Sequence, residues 1–281
     1  MKLLIVGISL ALISWIFSWT RIPVIHEHPF FPLWLGYILT LNGLSEVLFG
    51  DSLLKRMRYG FIFLFLISIP AWWFFEFINH FLQNWHYILG RPVSDLEFNI
   101  RASIDFSTVI PAVLSTTFLF KEILERAEKR YKTFNINKLF LFFLIFLGIF
   151  FFIFMPIYPR ETFPLVWIAG FLIIDPINYL LGFPSLIGQV SKGIRINVYS
   201  VAVATIFTGF WWEMWNFYSL PKWFYTIPYV GFHKVFEMPI LGYLGYPFFG
   251  LEILSFTYFV VSASNILARK AKLHFSINFN L

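Results

Sequence analysis

Cysteine is absent from all 281 residues, which removes disulfides, thiolate nucleophiles and Cys-ligated metals at once. Charge is scarce: Asp, Glu, Lys and Arg make 13% of the chain, about half the level of soluble domains. Histidine occurs six times, with no H-E-x-x-H or histidine box, so no metal site is expected. These shortages, with the apolar composition, exclude a disordered chain, a nucleic-acid binder and a secreted disulfide scaffold.

What the chain has instead is apolar surface. Hydrophobic residues make 59% of it and aromatic residues 22%, with 39 phenylalanines and a mean hydropathy of +0.74. A soluble domain of this length has too small an interior to hide that much. The expected class is therefore all-α, a polytopic helical bundle in a membrane. The net charge of +6 reads as topology, because Lys and Arg gather in cytoplasmic loops. The first residues form an apolar run with one lysine, and the lack of a small-x-small site before Arg21 favours a retained helix over a cleaved signal.

A helix needs about 20 residues to cross the hydrocarbon core. Eight apolar runs meet that length: Leu3–Trp19, Phe31–Phe49, Gly60–Leu82, Ser103–Leu124, Leu139–Tyr158, Phe163–Leu181, Ile196–Phe217 and Tyr246–Leu267. Placing both termini in the cytoplasm puts 15 of the 21 Lys and Arg residues on that side, the arrangement expected of a cell (inner) membrane protein. Residues 1–124 and 139–268 then form two four-helix membrane units, joined by a basic connector, 125–138, and followed by a cytoplasmic tail, 269–281. Glu122, Glu125 and Glu128 alternate with Lys129, Arg130 and Lys132 at helical spacing, which predicts a solvated helical extension.

The two units look duplicated. Glu76-Phe77-Ile78-Asn79 is followed by Trp85-His86-Tyr87, and Glu213-Met214-Trp215-Asn216 by Trp223-Phe224-Tyr225. Each copy follows a tryptophan pair, Trp72-Trp73 or Trp211-Trp212. Phe31-Pro32-Leu33 matches Phe163-Pro164-Leu165, Asn42 and Glu46 stand opposite Asp175 and Asn178, and Glu97 has a counterpart in Glu237. Four helices per unit make the units parallel, related by an axis along the membrane normal.

Six acids fall in or at the ends of spans, namely Glu46, Glu76, Asp105, Asp175, Glu213 and Glu252, with no Lys or Arg in any span interior. An intramembrane carboxyl costs about 2.5–3.5 kcal/mol on the insertion scale, so each needs a reason. The i, i+3 spacing puts Glu76 beside Asn79 and Glu213 beside Asn216, with Trp73 and His80 on the face of Glu76. Three readings follow: an interhelical clamp between the units, a working acid in a polar pocket, or a cation or proton path. Trp85, Tyr87, Trp223 and Tyr225 are either an interfacial belt or a pocket wall. The Gly- and Pro-rich stretch after Glu237 is a loop or a pocket lid.

At these residues the chain resembles the membrane-embedded lycopene cyclase domains of carotenoid synthesis. The matching positions are Glu76, Asn79, Trp85, Tyr87 and Arg91, then Glu213, Asn216, Trp223 and Tyr225, within about a third of the chain. Where that family has a proline-first acidic motif, this chain has Glu237-Met238-Pro239. The resemblance implies repeated helices around a long apolar pocket holding a few carboxyls. It implies isoprenoid or lipid handling, with Glu76 and Glu213 as catalytic acids. Asn79, His80, Trp85, Tyr87, Asn216, Trp223, Tyr225, Glu237 and Glu252 are the candidate binding residues, and a membrane lipid or apolar small molecule is the partner. No cofactor is implied. A proton- or sodium-coupled transporter and a non-catalytic scaffold are the alternatives.

Overall fold

The structure is a computed structural model that describes residues 1–22, 25–127, 129–273 and 276–281. Helices stand at every apolar run: α1 (Lys2–Thr20), α2 (Phe30–Phe49), α4 (Phe61–Leu82), α5 (Asp95–Phe106) continued by α6 (Val109–Leu124), α7 (Lys138–Phe154), α9 (Val166–Leu180), α11 (Ile196–Phe217) and α12 (Gly245–Lys270). Short helices α3 (Leu53–Met57), α8 (Pro159–Thr162) and α10 (Leu186–Ser191) fill the turns. Among the described residues, five helices, counted with adjoining turns, are long and apolar enough to cross a membrane: Lys2–Thr20, Leu53–Leu82, Asp95–Leu124, Pro159–Leu180 and Ile240–Lys270. The molecule is mainly α-helical and its composition is that of an integral membrane protein.

The packing pairs recur. Helix α1 lies along α2 and α7 along α9, while α6 touches α2 and α4 as α12 touches α9 and α11. Small residues bring the first pair together: a Cβ on Gly36 or Gly43 would sit 2.4 Å from a main-chain nitrogen of α1. Such seams let apolar helices associate by close packing where lipid offers no hydrophobic drive.

The polar residues of α2 and α9 hold the short helices that follow. Asn42 Oδ1 accepts the Leu54 N–H at 2.8 Å, and the Asp175 carboxylate accepts the Leu186 and Ile187 N–H groups at 2.8 and 2.7 Å. Each thereby fills donors that a helix start leaves open. Asn42 also donates to Ser115 Oγ, and Asp175 accepts from Ser255 Oγ, both at 2.8 Å. These residues are committed to joining helix ends.

Three expectations change. The fourth span breaks at Ser107–Thr108, because Pro111 has no N–H for the carbonyl one turn back; Ser68 of α4 serves the break, accepting from Ile110 N–H and donating to the Phe106 carbonyl. The connector is not a helical extension. Beyond a 3-10 turn at Glu125–Ala127 its described residues run without regular structure up to Lys138, and Glu128 lies outside the described residues. Tyr131 and Phe134 donate instead to the carbonyls of Gly193 and Ser191 at 3.1 and 2.9 Å. Gly193 is required there, since its φ is +76° and a Cβ would meet the Tyr131 carbonyl at 2.3 Å. The tail folds back too: Asn265 brackets the main chain of buried Ile277 with two bonds of 2.7 and 2.9 Å.

Candidate functional site

The two W-x-Y segments form strands, β1 (Trp85–Ile88) and β2 (Lys222–Tyr225), which pair with each other antiparallel. Trp85 faces Tyr225 and Tyr87 faces Trp223, so the register maps each segment onto the other. Alternation along a strand turns these four rings to one side and His86 and Phe224 to the other. His86 accordingly meets Thr226 Oγ1 at 2.7 Å and stacks near Phe224.

Each strand is fastened by the Asn of its own E-x-x-N helix end. Asn79 donates to the Trp85 carbonyl at 2.8 Å and accepts the Asn84 and Trp85 N–H groups at 2.9 and 3.3 Å. Asn216 donates to the Trp223 carbonyl and accepts its N–H, both at 2.8 Å. An amide carries donor and acceptor at the spacing that a strand residue presents, and a carboxylate could serve only the N–H.

The glutamates hold the rings. Glu76 Oε1 accepts from Trp72 Nε1 at 2.9 Å, Trp85 Nε1 at 3.0 Å and the Tyr87 hydroxyl at 2.5 Å. Glu213 Oε1 accepts from the hydroxyls of Tyr225 at 2.6 Å and Tyr246 at 2.8 Å, while Trp223 Nε1 turns to the Tyr225 oxygen at 2.9 Å. Glu213 is fully buried and its Oε2 has no hydrogen-bond partner among the described residues. Burial, and next the carboxylate it faces, pushes the Tyr87 hydroxyl far above the usual phenol range, and likewise Tyr225. Both stay protonated and act as donors. The clamp thus runs from each helix end to the strand that follows it, and main-chain pairing of β1 with β2 joins residues 85–88 to residues 222–225.

The other faces of these rings border a cavity of about 530 Å³. Trp72, Trp85, Tyr87 and Phe106 line it from the first unit, and Trp167, Trp212, Trp223, Tyr225, Tyr246 and Phe249 from the second. Trp85 and Trp167 stack at 5.9 Å, and Trp72 and Trp212 lie 5.0 Å apart. The stretch after Glu237 adds Met238, Leu241, Gly242, Leu244 and Gly245 to the wall. It folds as a hairpin of β3 (Lys234–Val235) and β4 (Met238–Pro239) with a 3-10 turn, Ile240–Leu244.

Trp85, Tyr87, Asn216, Trp223 and Tyr225 therefore line the cavity, whereas Glu76, Glu213 and Asn79 are absent from the lining. Glu237 reaches it through Lys222, with which it pairs. His80 is exposed and stands away from the cavity. Glu252 is buried against Gly170 between α12 and α9, with Oε2 unpartnered. Of the tryptophan pair, it is Trp72, one full turn back, that bonds Glu76; Trp73 donates to Ser103 Oγ instead, at 2.9 Å.

Sequence reasoning did not assign the acids that do border the cavity. Glu27 lies there in a network with Arg91, Arg101 and Glu97. Asp105 lies there at the end of α5 and accepts the Phe31 N–H at the start of α2. Its only sequence signal was an acid next to an apolar run. Among the described residues no group of three His, Asp or Glu side chains could hold a metal ion. Chemically the site offers an apolar, ring-walled chamber in which the phenols of Tyr87, Tyr225 and Tyr246 and the indoles of Trp72, Trp85 and Trp223 are engaged in hydrogen bonds, with a few acids on the wall. Comparison with family models, curated proteins and solved structures finds no match for this chain.

Proposed function

We propose that this is an integral membrane protein that takes up the hydrocarbon chain of an isoprenoid or other lipid in the ring-walled cavity. The observation that carries the reading is the wall itself: aromatic faces from both units enclose a chamber of about 530 Å³, within the 300–1,000 Å³ range of small-molecule sites. In this reading all eight long helices cross the cell (inner) membrane as two parallel four-helix units, with both termini cytoplasmic. Support for the duplication comes from matched bonds at matched offsets: Asn42 to Leu54 and Asp175 to Ile187 each span 12 residues, and the two Asn clasps and the self-mapping strand register agree with it.

The lycopene cyclase resemblance extends the proposal to acid chemistry on an alkene. Because the glutamates stand behind the rings, a protonated Glu76 or Glu213 would pass its proton to the oxygen of Tyr87 or Tyr225 as that hydroxyl turns and releases its own to the alkene, leaving a carboxylate behind the ring and a carbocation faced by the indoles. Coupled transport has less support, since Asn42 and Asp175 are occupied with helix N-termini.

The test is lipid identity. Protein extracted with its surrounding lipid is analysed by mass spectrometry beside Ala102→Phe, which fills the cavity wall. Enrichment of one apolar species over the bulk membrane, lost in the variant, supports the reading. Bulk composition in both preparations overturns it.

A further inference from the structure

The ionic groups around the cavity are matched except for one. Glu27 meets Arg91 at 3.0 Å and Arg101 at 3.1 Å. Glu97 meets the same two, at 2.5 and 3.1 Å. Arg101 also donates to the main-chain carbonyl of Glu27 at 2.6 Å, so its guanidinium is shared among Glu27, Glu97 and that carbonyl and makes no ion pair with Asp105, one turn further along α5. Lys222 is held by Glu237. Asp105 has no ion pair among the described residues, and its one recorded bond is from the Phe31 N–H.

A carboxylate accepts about four hydrogen bonds and donates none. One main-chain N–H leaves most of that capacity open, in a half-buried group among Ala102, Phe106 and Val109 on the cavity wall. An acceptor-only group in such surroundings gains from a partner that donates and is penalised by a second anion. Arg101 and Lys222, the arginine and lysine of the cavity wall, already face acids. The rings of Trp72 and Phe106, 5.8 Å apart, line the same cavity as Asp105.

We infer that the cavity selects lipids whose polar end donates hydrogen bonds, a long-chain alcohol or amine, and that Asp105 is the residue that receives it. The inference rests on the lipid-binding reading above and assigns the headgroup chemistry to it. It separates such lipids from those headed by phosphate or carboxylate.

Farnesol, farnesylamine and farnesoic acid share one chain and differ only at the end, so their binding to the nanodisc-embedded protein is the test. The alcohol and the amine are expected to bind at least about tenfold more tightly than the acid, a difference of about 1.4 kcal/mol. Asp105→Asn keeps an acceptor for the Phe31 N–H and is expected to erase the preference, the amine losing most; Asp105→Ser serves if that variant fails to fold. Equal binding of all three to the unaltered protein, or a preference for the acid, overturns the headgroup inference alone. An unchanged preference in a folded variant overturns the role of Asp105. No binding of any of the three overturns the lipid reading itself.

Discussion

The two E-x-x-N elements share one half of their chemistry and differ in the other. Both asparagines clasp the main chain of the following strand in the same way. The glutamates diverge: Glu76 takes three ring donors on one oxygen, while Glu213 takes two hydroxyls, loses its indole to Tyr225 and leaves Oε2 unpartnered in a fully buried site. The invariant part is a backbone joint, and the variable part is a side-chain network facing the cavity. A buried acceptor without a donor costs free energy that a finished network does not. All three donors to Glu76 also fall on Oε1, so what sets the second element apart is that its acid, with an unpartnered oxygen among the described residues, is fully buried.

The asparagine joint predicts the largest effect. Asn79→Leu removes three bonds at a buried position and Asn216→Leu two, leaving main-chain groups bare at about 1–3 kcal/mol each. Both variants are expected to lose several kcal/mol of stability, Asn79→Leu more. The cysteine-free chain provides a direct readout. His86→Cys with Phe224→Cys places two thiols directly opposite on the outer face of the ribbon, and they should cross-link readily in the native protein but slowly once either Asn is replaced. A cross-link insensitive to both would remove the idea of a common joint.

The glutamates sharpen the contrast at a smaller scale. Glu76→Leu strands three donors and Glu213→Leu strands two while abolishing an orphaned acceptor. At about 1–3 kcal/mol per stranded donor, Glu76→Leu is expected to be the more damaging by roughly 1–3 kcal/mol. Thermal unfolding of the two variants in the same detergent measures it, and the reverse order would mean that the unpartnered oxygen of Glu213 has a donor.

Much of this arrangement was legible in the sequence, for a physical reason. Apolar runs and E-x-x-N spacing are local, so the places of the helices and the facing of Glu76 and Asn79 could be read directly. What the rings bond to could not. Trp72 rather than Trp73 reaches Glu76 because the helix turns 3.6 residues, and a one-residue choice between adjacent tryptophans depends on neighbours such as Ser103. The pairing of β1 with β2 joins residues 134–140 positions apart, from Ile88 with Lys222 to Trp85 with Tyr225, and no short-range pattern encodes it. The connector misled for the complementary reason: its charge spacing suits a helix, but docking onto Ser191 and Gly193 gives its main chain other partners. Asp105 became conspicuous only once the start of α2 met the end of α5.

The outer ionic groups carry the smallest effect and extend the comparison to the strands' flanks. After β1, Arg91 is bound by Glu27 and Glu97; at the start of β2, Lys222 is bound by Glu237. The first network is the more exposed, with Arg91 and Glu97 side chains 44% and 34% accessible against 18% for both members of the second pair. Arg91 beside them holds the Glu27 and Glu97 carboxyls below the usual carboxylate range. A depressed folded-state pKa stabilises only above the unfolded value, so the contribution is complete at neutral pH and drains as pH falls through the lowered values. Screening by salt acts on the exposed network before the more buried pair. Protection of the amides of 89–101, taken relative to their intrinsic exchange rates at each condition, should therefore fall modestly below about pH 4 and in molar salt, while that of 222–237 changes less. Equal response of the two flanks would show that exposure does not distinguish them, and Arg91→Gln should remove the response of the first flank to both treatments.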